Sequence, residues 1–270
     1  MRVAVLGYGA IGKRVVEALE GGEIPGTSLA AVFRSTPGSV TPGGMTVQVL
    51  NDQHIAEQIE NADLVVEAAG VESVAAYAPA ILRAGKNILL TSIGALADPS
   101  LRNTLKSSDA GKYFLTEGAI GGLNLLGAAS KGHDGDGVQE VVLTTTKKAD
   151  TLIQPWMETA QAETLRTTQK ALTIYSGSVE EAIKLFPRSL NVACALAEAT
   201  DMWAKTQVNL VADPSADLTN HRIEASGKSG TYSFDITNHP LAENPTSSGL
   251  VAEAIIQGIS RIADAHGKFV

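Results

Sequence analysis

The chain opens Met1-Arg-Val-Ala-Val-Leu-Gly-Tyr-Gly-Ala-Ile-Gly12, an apolar run that passes directly into Gly7-x-Gly9-x-x-Gly12. A strand that ends in this glycine pattern and opens a helix is how a dinucleotide-binding unit starts. The three glycines have separate duties: Gly7 makes the tight turn, Gly9 lets backbone approach a pyrophosphate, and Gly12 lets helix pack on strand. Ile11, Val15, Ala18 and Leu19 then recur at helical spacing until Gly21-Gly22 stops them. Free N–H groups at the start of that helix, where Ala10 and Ile11 stand, can receive a phosphate.

Outward from this turn, strands and helices alternate. Strands are expected at Val3–Leu6, Leu29–Phe33, Val47–Leu50, Leu64–Ala68 and Asn87–Leu90, and helices at Ile11–Glu20, His54–Glu60 and Val71–Ala84. Residues 98–116 read as one more helix and strand. Such alternation means a parallel sheet with crossover helices on both faces. Beyond Gly118 the pattern changes to β-branched runs at Val138–Thr146, Gln207–Ala212, Arg222–Ala225 and Thr231–Thr237, the last two joined by Gly227-Lys-Ser-Gly230 as a hairpin. Helices are expected at Ser178–Lys184, at Asn191–Lys205 and finally from about Thr246 to His266. The fold class is therefore α/β: an N-terminal Rossmann dinucleotide-binding domain (1–117) plus a smaller α+β domain (118–245) with a largely antiparallel or mixed sheet. The final helix, 246–266, is expected to pack back on the first domain.

Composition narrows the partners. With 270 residues, a net charge of -8 and a pI near 5.2, neither nucleic acid nor an anionic membrane is an expected partner. No run of about 18 apolar residues is present, and the first strand begins without a secretory leader, so a cytoplasmic protein is expected. The single cysteine, Cys194, lies in an apolar segment and reads as a small buried thiol.

The cofactor's identity turns on the end of the second strand. In NAD-specific units a carboxylate there, about 20 residues past the glycines, accepts from the ribose 2′-hydroxyl. This chain has Phe33-Arg34-Ser35-Thr36 instead. Arg34 with Ser35 suits a 2′-phosphate, because a guanidinium grips phosphate through a bidentate fork, and the reading favours NADP or dual use of NADP and NAD. The small-residue turns Ala68-Ala69-Gly70 and Ser92-Ile93-Gly94-Ala95 let a nicotinamide lie close to the backbone, which makes Ala69 and Ser92 candidate contacts.

Among five histidines the acid/base role is open. His54 begins a helix among polar residues, His266 is near the C-terminus, and His133 lies in a polar loop. That loop, His133-Asp-Gly-Asp-Gly137, fails as a calcium site because the twelfth position from Asp134 is Thr145 rather than Glu, and no metal is expected. His221 and His239 remain, and composition does not choose between them. Lys147, Lys148 and Arg188 are cations that could hold a substrate carboxylate.

Several segments together resemble the L-aspartate dehydrogenase family: Gly7–Gly12, Thr91-Ser-Ile-Gly-Ala-Leu-Ala-Asp98, Gly118-Ala-Ile-Gly-Gly-Leu123, Phe186-Pro-Arg-Ser-Leu-Asn-Val-Ala193, Ala212-Asp-Pro214 with Asn220-His221, and Asn244-Pro-Thr-Ser247. The resemblance implies oxidation of L-aspartate to iminoaspartate with NAD or NADP, the imine hydrolysing to oxaloacetate and ammonia or feeding pyridine nucleotide biosynthesis. It also implies the reverse amination and a homodimer or higher homo-oligomer. By position it makes His221 the catalytic histidine and Ala119 and Asn191 cofactor contacts. Asn124, where the family often has Asp, and Lys147-Lys-Ala-Asp150 depart from its pattern. A homoserine dehydrogenase-like or dihydrodipicolinate reductase-like reaction is the alternative, and a non-catalytic dinucleotide sensor is the alternative of another class.

Overall fold

Val3 to Leu6 are all buried, as a strand covered on both faces must be. The computed structural model describes residues 1–36, 38–51, 53–132, 136–187, 189–241 and 244–266. It divides into two compact units, Met1–Gly118 with Leu250–Val270, and Ala119–Gly249. No helix among the described residues is long and apolar enough to cross a membrane.

The first unit is built on six parallel strands: β1 (Arg2–Leu6), β2 (Ser28–Arg34), β3 (Gln48–Val49), β4 (Leu64–Glu67), β5 (Asn87–Leu90) and β6 (Tyr113–Leu115). Their order, β3-β2-β1-β4-β5-β6, is that of the Rossmann fold. Helices α1 (Ala10–Glu20), α2 (Ile55–Gln58), α3 (Val71–Arg83) and α4 (Pro99–Lys106) connect them. The start of α4 has a plain local cause: Asp98 caps it, accepting from Ser100 N at 2.8 Å, and Pro99 occupies the first helical position. Two elements are shorter than their sequence pattern suggests. As an edge strand β3 pairs only Phe33 with Gln48 and Arg34 with Val49, and α2 closes a single turn around the buried Ile55.

The last helix, α9 (Leu250–Ala263), belongs to this unit. Its start corrects the expected Thr246, because Asn244–Ser248 pairs as a short strand with Pro240–Leu241. Ile255 and Ile259 enter the core beside Val15, Val16, Leu19 and Leu89, and Glu253 accepts from Arg14 Nε at 2.9 Å.

The second unit carries α5 (Leu123–Ser130), β7 (Val138–Lys148), α6 (Thr159–Thr167), β8 (Leu172–Gly177), α7 (Val179–Leu185), α8 (Asn191–Thr200), β9 (Thr206–Asp213), β10 (Thr219–Gly227) and β11 (Gly230–Asn238). The sheet order is β11-β10-β7-β9-β8. It is mixed: β7 and β9 run parallel at the centre, and the other neighbours are antiparallel. The parallel pair needs a long crossover, and α6, β8, α7 and α8 supply it. The hairpin closes as its glycines suggest, with Gly227 opposite Gly230.

Helix α8 is buried almost throughout, with the Cys194 thiol inside it. It stops at Thr200 rather than at the expected Lys205. The next residue, Asp201, is left-handed at φ 54°, and the amides of Asp201 and Met202 turn back to the carbonyls of Glu198 and Ala197. This is a Schellman ending with aspartate where glycine is usual. Replacing Asp201 by glycine should therefore stabilise the unit by about 0.5–1 kcal/mol, because the left-handed region costs glycine nothing sterically. Thermal denaturation reads it; an unchanged or lower melting temperature would contradict the strain assigned to Asp201.

Candidate active site

At the carboxyl end of β1 the chain turns on Gly7, whose φ of 108° excludes other residues. A Cβ there would stand 2.4 Å from the carbonyl oxygen of Ala68, and one on Gly12 would stand 2.0 Å from that of Gly7. A Cβ on Gly9 would meet no protein atom within 4 Å. Two glycines are thus required by the protein's own packing, whereas Gly9 leaves open the space a pyrophosphate fills. Helix α1 follows at once from Gly9, with no acidic residue in its first turn to compete for the N–H groups of Ala10, Ile11 and Gly12. The cradle fits a dinucleotide.

Further groups stand at the same edge of the sheet. Arg34 ends β2, half-buried, and its Nη1 donates to Ser39 Oγ at 2.6 Å, while Ser35 and Thr36 are exposed. Ala69 and Ser92 lie just past β4 and β5, and both donate to the buried Glu67 carboxylate. Thr91 Oγ1 and Thr116 Oγ1, just past β5 and β6, are buried with no hydrogen-bond partner among the described residues.

In the second unit, alternation along the strands builds a polar cluster at one end of an apolar face. Val141 and Leu143 of β7, and Ile223 and Ala225 of β10, are buried on that face. Two residues further along each strand the same face becomes polar, with Thr145 and Lys147 on β7 and His221 on β10. Thr145 and His221 are register partners, and Thr145 Oγ1 lies 3.0 Å from His221 Nδ1. His221 is 3% exposed and Lys147 8%. Burial pushes the Lys147 ammonium down to about 8. Burial, and then the Lys147 charge, push the His221 imidazole down to about 3. At neutral pH this places a neutral imidazole beside a cation that loses its proton easily.

The family model for the C-terminal region of aspartate dehydrogenase matches residues 127–262, and that for the NAD-binding domain of homoserine dehydrogenase matches residues 7–113. An L-aspartate dehydrogenase of Methanosarcina acetivorans is 30% identical over 268 residues, 97% of each chain. One from Nitrosopumilus maritimus is 32% identical over 96% of each. The chain belongs to the L-aspartate dehydrogenase family. Its fold agrees, since the crystal structure of the Thermotoga maritima aspartate dehydrogenase superposes with a TM-score of 0.73 at 27% identity, over 100% of this chain and 98% of that one. The first unit of this family member binds a pyridine nucleotide.

Within this aspartate dehydrogenase relative the sequence candidates fall into place unevenly. His221 and Lys147 come together, whereas Lys148 points to the exposed side of β7 and His239 is exposed. Ala119 is buried, its carbonyl accepting from Asn238 Nδ2 at 2.7 Å, and Asn191 is the first residue of α8. Arg188 and His133 lie outside the described residues. His54 is exposed and pairs with Glu57 at 3.4 Å, and His266 is exposed. Sequence reasoning missed Thr145 and Glu67. Thr145 entered it only as a failed calcium ligand; its place opposite His221 depends on strand register. Glu67 carried a visible signal, a lone charge in the apolar run Leu64–Ala68.

Proposed function

We propose that this protein catalyses the NAD(P)-dependent oxidation of L-aspartate to iminoaspartate, which hydrolyses to oxaloacetate and ammonia, and the reverse reductive amination. The observation that carries this is the buried His221–Thr145–Lys147 cluster, in a chain that aligns over 97% of its length with an L-aspartate dehydrogenase. In this reading residues 1–117 with the last helix serve the cofactor and residues 118–245 serve the substrate and self-association.

Gly7, Gly9, Ala10, Ile11, Gly12, Ala69 and Ser92, with Ala119 and Asn191, hold the dinucleotide. When bound, the dinucleotide would supply the hydride acceptor for oxidation at the substrate's Cα and the hydride donor for the reverse direction. Lys147 holds a substrate carboxylate as a point charge, with Lys148 and Arg188 as further candidates. His221 takes the proton that the substrate ammonium must lose before its lone pair can form the imine. In the tautomer whose Nδ1–H donates to Thr145 Oγ1, Nε2 is the accepting atom, and the Thr145 contact orients the ring. Substrate carboxylates arriving beside Lys147 offset the charge that depresses His221 and raise its affinity for that proton.

Arg34 supports NADP or dual use over strict NAD specificity. Ser39 holds its guanidinium, and no carboxylate stands at the end of β2 to bind a 2′-hydroxyl or repel a 2′-phosphate. Arg34→Ala should weaken NADPH binding roughly 10-fold or more, the scale of one lost charge-assisted bond, and change NADH binding little. Equal losses on both cofactors, in a fluorescence titration, would remove Arg34 from the 2′-phosphate site.

The deciding assay runs L-aspartate with NAD and NADP, and oxaloacetate plus ammonia with NADH and NADPH, beside homoserine. Turnover of aspartate alone supports the reading; turnover of homoserine alone, or of no amino or keto acid, rejects it. A homo-oligomer is part of the same proposal, and light scattering measures it.

A further inference from the structure

Glu67 ends β4 with its side chain fully buried, the only charged residue in the run Leu64–Ala68. Its carboxylate accepts five hydrogen bonds. Oε1 receives Ala69 N at 2.7 Å, Gly70 N at 2.8 Å and Ser92 Oγ at 2.9 Å, and Oε2 receives Ser92 N at 2.9 Å and Thr91 N at 3.2 Å. Four of the five donors are backbone N–H groups, two on each oxygen, so both oxygens of the group serve as acceptors. One side chain therefore ties the turn after β4 to the turn after β5.

A third turn rests on this pair. The Cβ position of Gly7 is 2.4 Å from Ala68 O, so the glycine turn after β1 packs directly on the residue beside Glu67. In a Rossmann sheet the half containing β2 and β3 takes the adenosine end, the first turn takes the pyrophosphate, and the half containing β5 and β6 takes the nicotinamide end. We propose that Glu67 is a positioning residue for the cofactor, whose carboxylate holds the turns 68–70 and 91–92 at a fixed distance from the pyrophosphate turn and so shapes the nicotinamide half of the site. This rests on the pyridine-nucleotide reading of the first unit, and not on aspartate as substrate. A neutral amide does not replace the carboxylate: in either rotamer of Glu67→Gln, an NH2 group faces at least two N–H donors.

The test compares cofactor affinity in wild type, Glu67→Gln and Glu67→Asp, the last keeping the charge on a shorter stem that reaches one turn only. NADH and NADPH are titrated by fluorescence, and ADP-ribose and its 2′-phosphate, which lack nicotinamide, by calorimetry. Both variants should lose roughly 10- to 100-fold in dinucleotide affinity, the effect of leaving one or two buried donors unpaired, and less than about threefold for the ADP-ribose ligands. In the cofactor-free protein, amide exchange should quicken at residues 68–70 and 91–92 and stay unchanged in β1 and α1. Unchanged dinucleotide affinity overturns the proposal. So does an equal loss on both kinds of ligand, or failure of both variants to fold, since the carboxylate would then support the whole unit. Wild type that binds neither ligand overturns the cofactor reading itself, whereas wild type that binds both and leaves aspartate untouched overturns only the substrate.

Discussion

His221→Ala is expected to lower kcat for aspartate oxidation by about 10²- to 10⁴-fold, the contribution of a general base, with cofactor affinity unchanged. The imidazole is 3% exposed, oriented by Thr145 and held neutral by burial and by Lys147. The same burial ties stability to pH. The folded imidazole resists protonation down to about 3, whereas the unfolded one protonates near 6.5. Between those values the unfolded chain binds the extra proton, so this residue makes stability rise with pH across that window and fall on acidification. His221→Ala should flatten that part of the pH–stability curve. Steady-state kinetics beside acid denaturation read both effects, and a variant with wild-type kcat would remove His221 from the reaction.

Gly12→Ala should be severely damaging for a single added methyl. Its Cβ would lie 2.0 Å from Gly7 O and 2.9 Å from Gly7 C, and backbone at the base of a tight turn has nowhere to move. Helix α1 must shift off β1, at a cost of about 3 kcal/mol or more. That is a melting temperature lower by roughly 6–12 °C, with dinucleotide binding reduced at least about 100-fold because the helix N-terminus no longer faces the phosphates. Gly9→Ala is the control. Its Cβ meets no protein atom, so stability should stay within about 1 kcal/mol while dinucleotide affinity falls. Calorimetry and fluorescence titration separate the two; equal stability losses in both variants would mean the glycines share one role.

These contrasts bear on how much of the candidate site was legible beforehand. The glycine turn and the arginine that ends β2 could be singled out as candidates because each is a local pattern of a few consecutive residues at a strand end. The cluster around His221 was not readable in that way. Resemblance singled out His221, and Lys147 was only one of three candidate cations, yet what joins them is the pairing of β7 with β10, in which Thr145 and His221 are partners 76 positions apart. Register also separates Lys147 from Lys148, because adjacent residues of a strand face opposite sides.

The limits of local reasoning show in the elements as well. Helix α8 reads as continuing to Lys205 by composition, and a left-handed Asp201 ends it early, a choice made by the return of the chain into β9. The last helix starts four residues late because Asn244–Ser248 pairs with a segment that no periodicity marks.

By itself the sequence determined the parallel α/β architecture, the dinucleotide turn and the absence of an acidic residue at the end of β2. Those follow from periodicity and from steric demands that a few neighbouring residues express. Tertiary structure alone decided which cation shares a face with His221, that Thr145 orients it, and that Glu67 ties two turns together. Each of those is a contact between residues distant in the chain, and its energy comes from burial and from satisfied hydrogen bonds that exist only once the strands are paired.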